Sequence, residues 1–114
     1  MEKTVIRTEA APAPFQGAPY NQAVVAGDLV FVAGDIGQQT EQALANLAAI
    51  LEAAGSSMEN LVKTSVFLAS LDDFVGMNEV YAAKVGDRPP ARSTFEVARL
   101  PSGALVEIEA IAHL

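Results

Sequence analysis

The stretch from Arg88 to Leu114 most constrains what this chain can fold into. Two segments within it alternate with the period of two that a strand requires: Pro90-Ala91-Arg92-Ser93-Thr94-Phe95-Glu96-Val97 and Leu105-Val106-Glu107-Ile108-Glu109-Ala110-Ile111. In the second, Val106, Ile108, Ala110 and Ala112 point one way and can cover a core, while Leu105, Glu107, Glu109 and Ile111 point the other way. In the first, Phe95 and Val97 share the apolar face, and Arg92, Thr94 and Glu96 share the other. Leu100-Pro101-Ser102-Gly103 reads as a tight connection, so the chain is expected to close on a hairpin. With Arg99 opposite Ala104, that hairpin pairs Glu96 with Glu107 and sets Thr94 diagonal to Glu107. One sheet face then carries a guanidinium, a hydroxyl and three carboxylates. Like charges directly opposite each other cost stability, so such a face calls for a cation, a ligand or a partner subunit.

With 114 residues, 51% of them hydrophobic, the chain reads as one domain over 1–114. It has no apolar run long enough to cross a bilayer, and Met1-Glu2-Lys3-Thr4 lacks the basic and apolar regions of a secretory signal. No membrane partner is expected. There is no cysteine, which excludes disulfide and thiol chemistry and fits an expected cytoplasmic location. His113 is the one histidine, so a transition-metal site built on histidine and cysteine is not expected. A net charge of −7 speaks against nucleic acid as a main partner and favours solubility.

Thr8 to Pro19, rich in Ala and Pro, reads as an extended arm. Residues 23–26 and 29–33 read as a hairpin around a Gly27-Asp28 turn. Gln38 to Ala54 has helical spacing through Leu44, Leu47, Ile50 and Leu51, with Gly55 just past its end. Leu61 to Leu68 is a third strand. Asp72 or Asp73 can cap a second helix to about Val85, with Phe74, Met77, Val80, Tyr81 and Lys84 on one stripe. The order strand, strand, helix, strand, helix, strand, strand predicts an α+β sheet with both helices on one face. Val24, Phe31, Val66 and Leu105 mix with charged positions across the two faces, so the uncovered face suits an oligomer surface.

Arg92 is the leading site candidate. A planar guanidinium holds a carboxylate through two parallel hydrogen bonds, which a lysine cannot do. An ion pair with Glu107 or Glu109 explains it equally well from spacing alone. Glu107 can position or deprotonate a water, or relay a proton, if its surroundings tune its pKa; otherwise it is a surface carboxylate. Tyr20 can line a pocket or serve as a packing lid. Asn78 is by default a solvated helix residue. Gly34 follows a strand, where it either lets a ligand approach the backbone or simply ends the strand.

Five ordered segments resemble the RidA/YjgF family of small imine-hydrolysing proteins. Gly17-Ala18-Pro19-Tyr20-Asn21-Gln22-Ala23 is similar to the family's GPYSQA, and Phe31-Val32-Ala33-Gly34-Asp35-Ile36 to its strand ending in SGQI. Residues 52–57 with 61–68, the Asp73-Phe74 to Tyr81 segment, and PPARSTFEVARLP with LVEIEAIA match as well. The resemblance implies a chorismate-mutase-like sheet of about six strands, two helices on one face, and a homotrimer with a cleft at each subunit boundary. It implies a deaminase that hydrolyses 2-iminopropanoate or 2-iminobutanoate without cofactor or metal. It places Arg92 on the substrate carboxylate and puts the functional glutamate at Glu107, with Glu109 secondary. Tyr20, closing the pocket, Gly34 and Asn78 are expected to bind the substrate in the cleft. Thr94 stands where some members have cysteine, so its backbone carbonyl, not a thiol, would hold the water.

The chain departs from the family between Ile36 and Thr40. That connection is short by about a dozen residues, through a trimmed loop or a segment absent from the sequence. Two other functional classes fit the same residues: a trimeric carboxylate-binding sensor without turnover, and an interaction protein that uses its apolar surfaces.

Overall fold

A computed structural model describes residues 2–114. Its elements are β1 (Lys3–Ile6), β2 (Ala23–Ala26), β3 (Leu29–Gly37), α1 (Thr40–Ala53), β4 (Leu61–Leu68), α2 (Phe74–Val85), β5 (Ala91–Glu96) and β6 (Val106–His113). They build a six-stranded mixed sheet in the order β1-β2-β3-β6-β4-β5, an α+β architecture. Only β4 and β5 run parallel, joined through α2 as parallel neighbours require. The predicted β2–β3 hairpin is present, with Ala26 opposite Leu29 across the two-residue turn. The strand Leu61–Leu68 matches its predicted bounds, and both helices lie within theirs. Gly55 lies just past α1 at φ +85°, a conformation that side chains rarely adopt. β1 was not anticipated from the sequence.

Both helices cover one face. Leu44, Leu47, Ile50 and Leu51 of α1, with Met77, Tyr81 and Val85 of α2, pack on Val30, Val32, Val66, Leu68, Val106, Ile108 and Ala110. Val66, expected among the residues of a mixed surface, is fully buried in this layer. Tyr81 Oη and the buried Thr64 Oγ1 hydrogen-bond at 2.6 Å, which satisfies the polar groups inside it.

The expected closing hairpin does not form. β6 inserts between β3 and β4, and β5 lies at the sheet edge beyond β4. The reason lies in the two helix-side stripes. Val106, Ile108, Ala110 and Ala112 can be buried completely, so β6 gains most in the centre. Arg92, Thr94 and Glu96 cannot, so β5 takes the edge. The arrangement also avoids the Glu96–Glu107 opposition that the hairpin would have imposed. Glu107 instead lies between Ile36 and Phe67, and Glu109 opposite Ser65.

Candidate active site

The parallel register sets Arg92, Thr94 and Glu96 beside Thr64, Val66 and Leu68, whose side chains face the helices. Arg92 and Thr94 are therefore on the helix side. Glu107 and Glu109 are on the opposite, uncovered face with Phe31, Phe67 and Phe95. The single charged face expected from the sequence is thus divided between the two sides of the sheet. The predicted neighbourhood of Arg92, Thr94 and Glu107 does not exist within one chain.

Two half-sites result. In the first, the Arg92 guanidinium is held from three directions by α2. Nη2 donates to Asn78 Oδ1 at 2.7 Å, Nη1 lies 3.9 Å from Met77 Sδ, and the guanidinium carbon stands 4.8 Å from the Tyr81 ring centroid and 5.7 Å from that of Phe74. The aromatic faces favour the cation without neutralising it. No carboxylate does so either: among the described residues the one ion pair is Lys84–Glu41 at 3.9 Å. An intrachain pair between Arg92 and Glu107 or Glu109 is excluded. Asn78, which the resemblance puts near the cleft and which is otherwise a solvated helix residue, accepts a hydrogen bond from the guanidinium directly. Phe74 and Tyr81 had been read only as core stripe; their spacing of three and four from Asn78 places all three over one point.

The second half-site is on the uncovered face. Tyr20, Gly34 and Glu107 line one open recess of about 380 Å³ with Phe15, Ala18, Ala33 and Pro101. Tyr20 Oη accepts a hydrogen bond from Phe15 N at 2.7 Å, which pins the arm over it. A larger recess of about 790 Å³ lies under the arm, but of the candidate residues it holds Tyr20 alone. Gly34 has a clear role. A Cβ there would come within 2.6 Å of Glu107 Cδ, so the glutamate lies directly against the backbone of the irregularity in β3. Burial first, and then the charge of Glu109, push the Glu107 carboxyl above the usual carboxylate range.

Asp35 was not anticipated as a site residue. It is buried on the helix side behind Gly34, where burial and then the nearby Glu107 push its carboxyl up to about 7. Strict alternation along Phe31-Val32-Ala33-Gly34-Asp35-Ile36 puts Asp35 on the face of Phe31, so its inward turn is not legible in the sequence; the irregularity between Val32 and Asp35 reverses the parity.

A neutral hydrogen-bonded cage around an unneutralised guanidinium is an anion site. A carboxylate with a raised pKa in an open recess is a proton-transfer group. Together these make an α+β fold with an anion-suited cage and a separate acidic recess, one on each side of the sheet. Residues 8–114 match the endoribonuclease L-PSP family. The chain belongs to this family, which is that of RidA and YjgF. It is 47% identical to a RutC family protein of Pyrococcus horikoshii, over 97% of this chain and 98% of that one. It is 40% identical to the mouse 2-iminobutanoate/2-iminopropanoate deaminase, over 96% and 90% respectively. The E. coli YjgF gene product superposes with a TM-score of 0.90 at 40% identity, covering 96% of this chain and 98% of that one. The alignment with the Pyrococcus relative runs over 125 positions but uses 97% of a 114-residue chain, so the relative has about a dozen more residues within it. Here Gly37 passes through Gln38 and Gln39 directly into α1.

Proposed function

We propose that the protein hydrolyses small 2-imino acids, such as 2-iminopropanoate and 2-iminobutanoate, to 2-keto acids and ammonia, in a cleft shared between copies of a homotrimer. One observation carries the reading. The anion half-site of Arg92 is at the edge strand, the proton-transfer half-site of Glu107 is on the opposite face, and neither can work alone. A second copy that brings its uncovered face to the β5 edge unites them.

In such a cleft Arg92 of one chain clamps the substrate carboxylate through two parallel hydrogen bonds. Glu107 of the other accepts a proton from a water as its oxygen attacks the carbon of the protonated imine. The tetrahedral adduct then carries hydroxyl and amino groups on one carbon. Glu107 gives the proton to the amino nitrogen, the C–N bond breaks with release of ammonia, and the hydroxyl proton passes to the Glu107 carboxylate as the keto C=O forms, from which it leaves to solvent or ammonia. Thr94 meets Glu107 only across the subunit boundary, where its carbonyl would be a second hold on the water. Tyr20 closes the recess. Water addition to an activated C=N needs mainly positioning, which these residues supply without a cofactor. The name of the mouse relative supports this substrate class.

The test is to generate 2-iminopropanoate in situ and follow its decay and ammonia release with and without the protein. Binding of 2-keto acids without faster decay would favour the second reading, a trimeric carboxylate sensor built on the same Arg92 cage.

A further inference from the structure

Behind the Glu107 recess is a buried carboxyl that the chemistry above does not use. Asp35 is 8% exposed and follows Gly34, the residue against which Glu107 packs. It lines a small, partly open cavity of about 80 Å³ with Asn46 of α1, Gln22 and Tyr20. Neither Asp35 Oδ2 nor Asn46 Nδ2 has a hydrogen-bond partner. The Gln22 amide is already engaged, donating to the carbonyls of Thr8, Ala11 and Pro12.

Among the described residues, the charge that acts on Asp35 is negative. From β6 it meets Glu107, with Glu109 beyond; from the arm, Tyr20; from α1, the neutral Asn46. Lys63 of β4 is four residues along from Phe67, the partner of Glu107, and donates to Ser93 Oγ at 3.0 Å. A buried carboxylate with no cation and no donor is costly, whereas the neutral acid is not.

We propose that Asp35 is a positioning residue for the recess: a carboxylic acid that stands uncharged behind Gly34, so that an anionic substrate can approach Glu107, and that repels this substrate once it ionises. The inference rests on the reading of the recess as the site of a small 2-imino acid. It adds a built-in loss of affinity on the alkaline side. The raised pKa of Asp35 fits it, and burial pushes the Glu107 carboxyl up as well.

The test has two arms. Carboxyl ¹³C NMR of the wild-type protein should show Asp35 protonated at pH 6 and ionised by pH 8.5, with a second inflection in the Glu107 signal as it titrates. Calorimetric affinity for 2-oxobutanoate should fall roughly tenfold over the same range, the size expected for one added unit charge at about 10 Å in a partly screened site. In Asp35→Asn, a near-isosteric change, the second inflection should vanish and the affinity should stay flat within about twofold. An Asp35 already ionised at pH 6, or an alkaline loss of affinity that persists in Asp35→Asn, overturns the proposal. So does an Asp35 titration that leaves Glu107 unmoved. If 2-oxobutanoate binds at no pH, the carboxylate-site reading fails instead, and the NMR arm, which needs neither ligand nor variant, still decides whether Asp35 acts on Glu107.

Discussion

At the scale of single residues, Arg92 carries a positive charge that no carboxylate among the described residues neutralises. Its orientation is set by Asn78 and its desolvation is eased by two aromatic rings. Arg92→Lys should therefore fold normally and lose most turnover. A lysine keeps the charge but not the fork, and each charge-assisted hydrogen bond lost costs roughly 1.5–3 kcal/mol. Thermal melts beside imine-decay rates check this, and near-wild-type turnover would remove Arg92 from the mechanism. Glu107→Gln should slow turnover on the order of 10²–10⁴-fold while changing carboxylate affinity less, because an amide keeps the shape and cannot accept a proton. Glu109→Gln should do less, since Glu109 is opposite Ser65 and outside the recess; the reverse ranking would reassign the proton-transfer role.

Asp35 also makes a stability statement. Its folded pKa of about 7 exceeds its unfolded value near 3.9, so the folded state binds the extra proton between them. The stabilisation is complete below about pH 4 and is lost as pH rises through about 7, up to roughly 4 kcal/mol. Partly buried Glu107 acts in the same direction. Urea melts at pH 5 and pH 8 should show the wild-type protein weaker at the higher pH, with the difference largely removed in Asp35→Asn. Equal stabilities in the wild type would count against a neutral Asp35.

At the scale of elements, the informative feature is the irregularity in β3 between Val32 and Asp35. It lets Asp35 turn inward while Gly34 leaves room for Glu107 on the other side. Gly34→Ala should push the Glu107 carboxylate aside, since the new Cβ would have a side-chain atom within 2.6 Å and others within 3 Å. The expected outcome is a fall in turnover of more than tenfold with a much smaller loss of stability, because the obstructing atoms belong to a side chain that can move away. A variant equally impaired in folding and turnover would show that Gly34 serves the strand and not the site. The strands themselves were legible where alternation was clean, as in residues 106–112, or where β-branched residues clustered, as in 61–68, and the Gly27-Asp28 turn announced its hairpin. β1 was not, because Lys3 to Ile6 is short and its burial pattern carries no strand signature: three of its four residues are exposed.

At the scale of the whole molecule, the uncovered face carries Phe31 at 43% and Phe95 at 54% exposure beside Glu107 and Glu109. Such a mix of large apolar groups and charge suits contact with another copy more than contact with water alone. A stable homotrimer is expected by analytical ultracentrifugation at micromolar concentration, and Phe95→Glu should shift it toward monomer and abolish turnover together. A monomer with full activity would contradict a site divided between chains.

What the sequence determined by itself was local: which residues alternate, where helices begin and end, which face of β6 is apolar, and, through ordered motifs, the family. Those properties depend on neighbours a few positions apart. Which strand takes the centre of the sheet is a competition between distant segments for buried area, and only the folded chain decides it. β6 won because its inward side chains can be buried completely, and β5, carrying Arg92, went to the edge. That choice put Arg92 and Glu107 on opposite faces, set Asn78 and Tyr81 around the guanidinium, and left Asp35 buried without a cation.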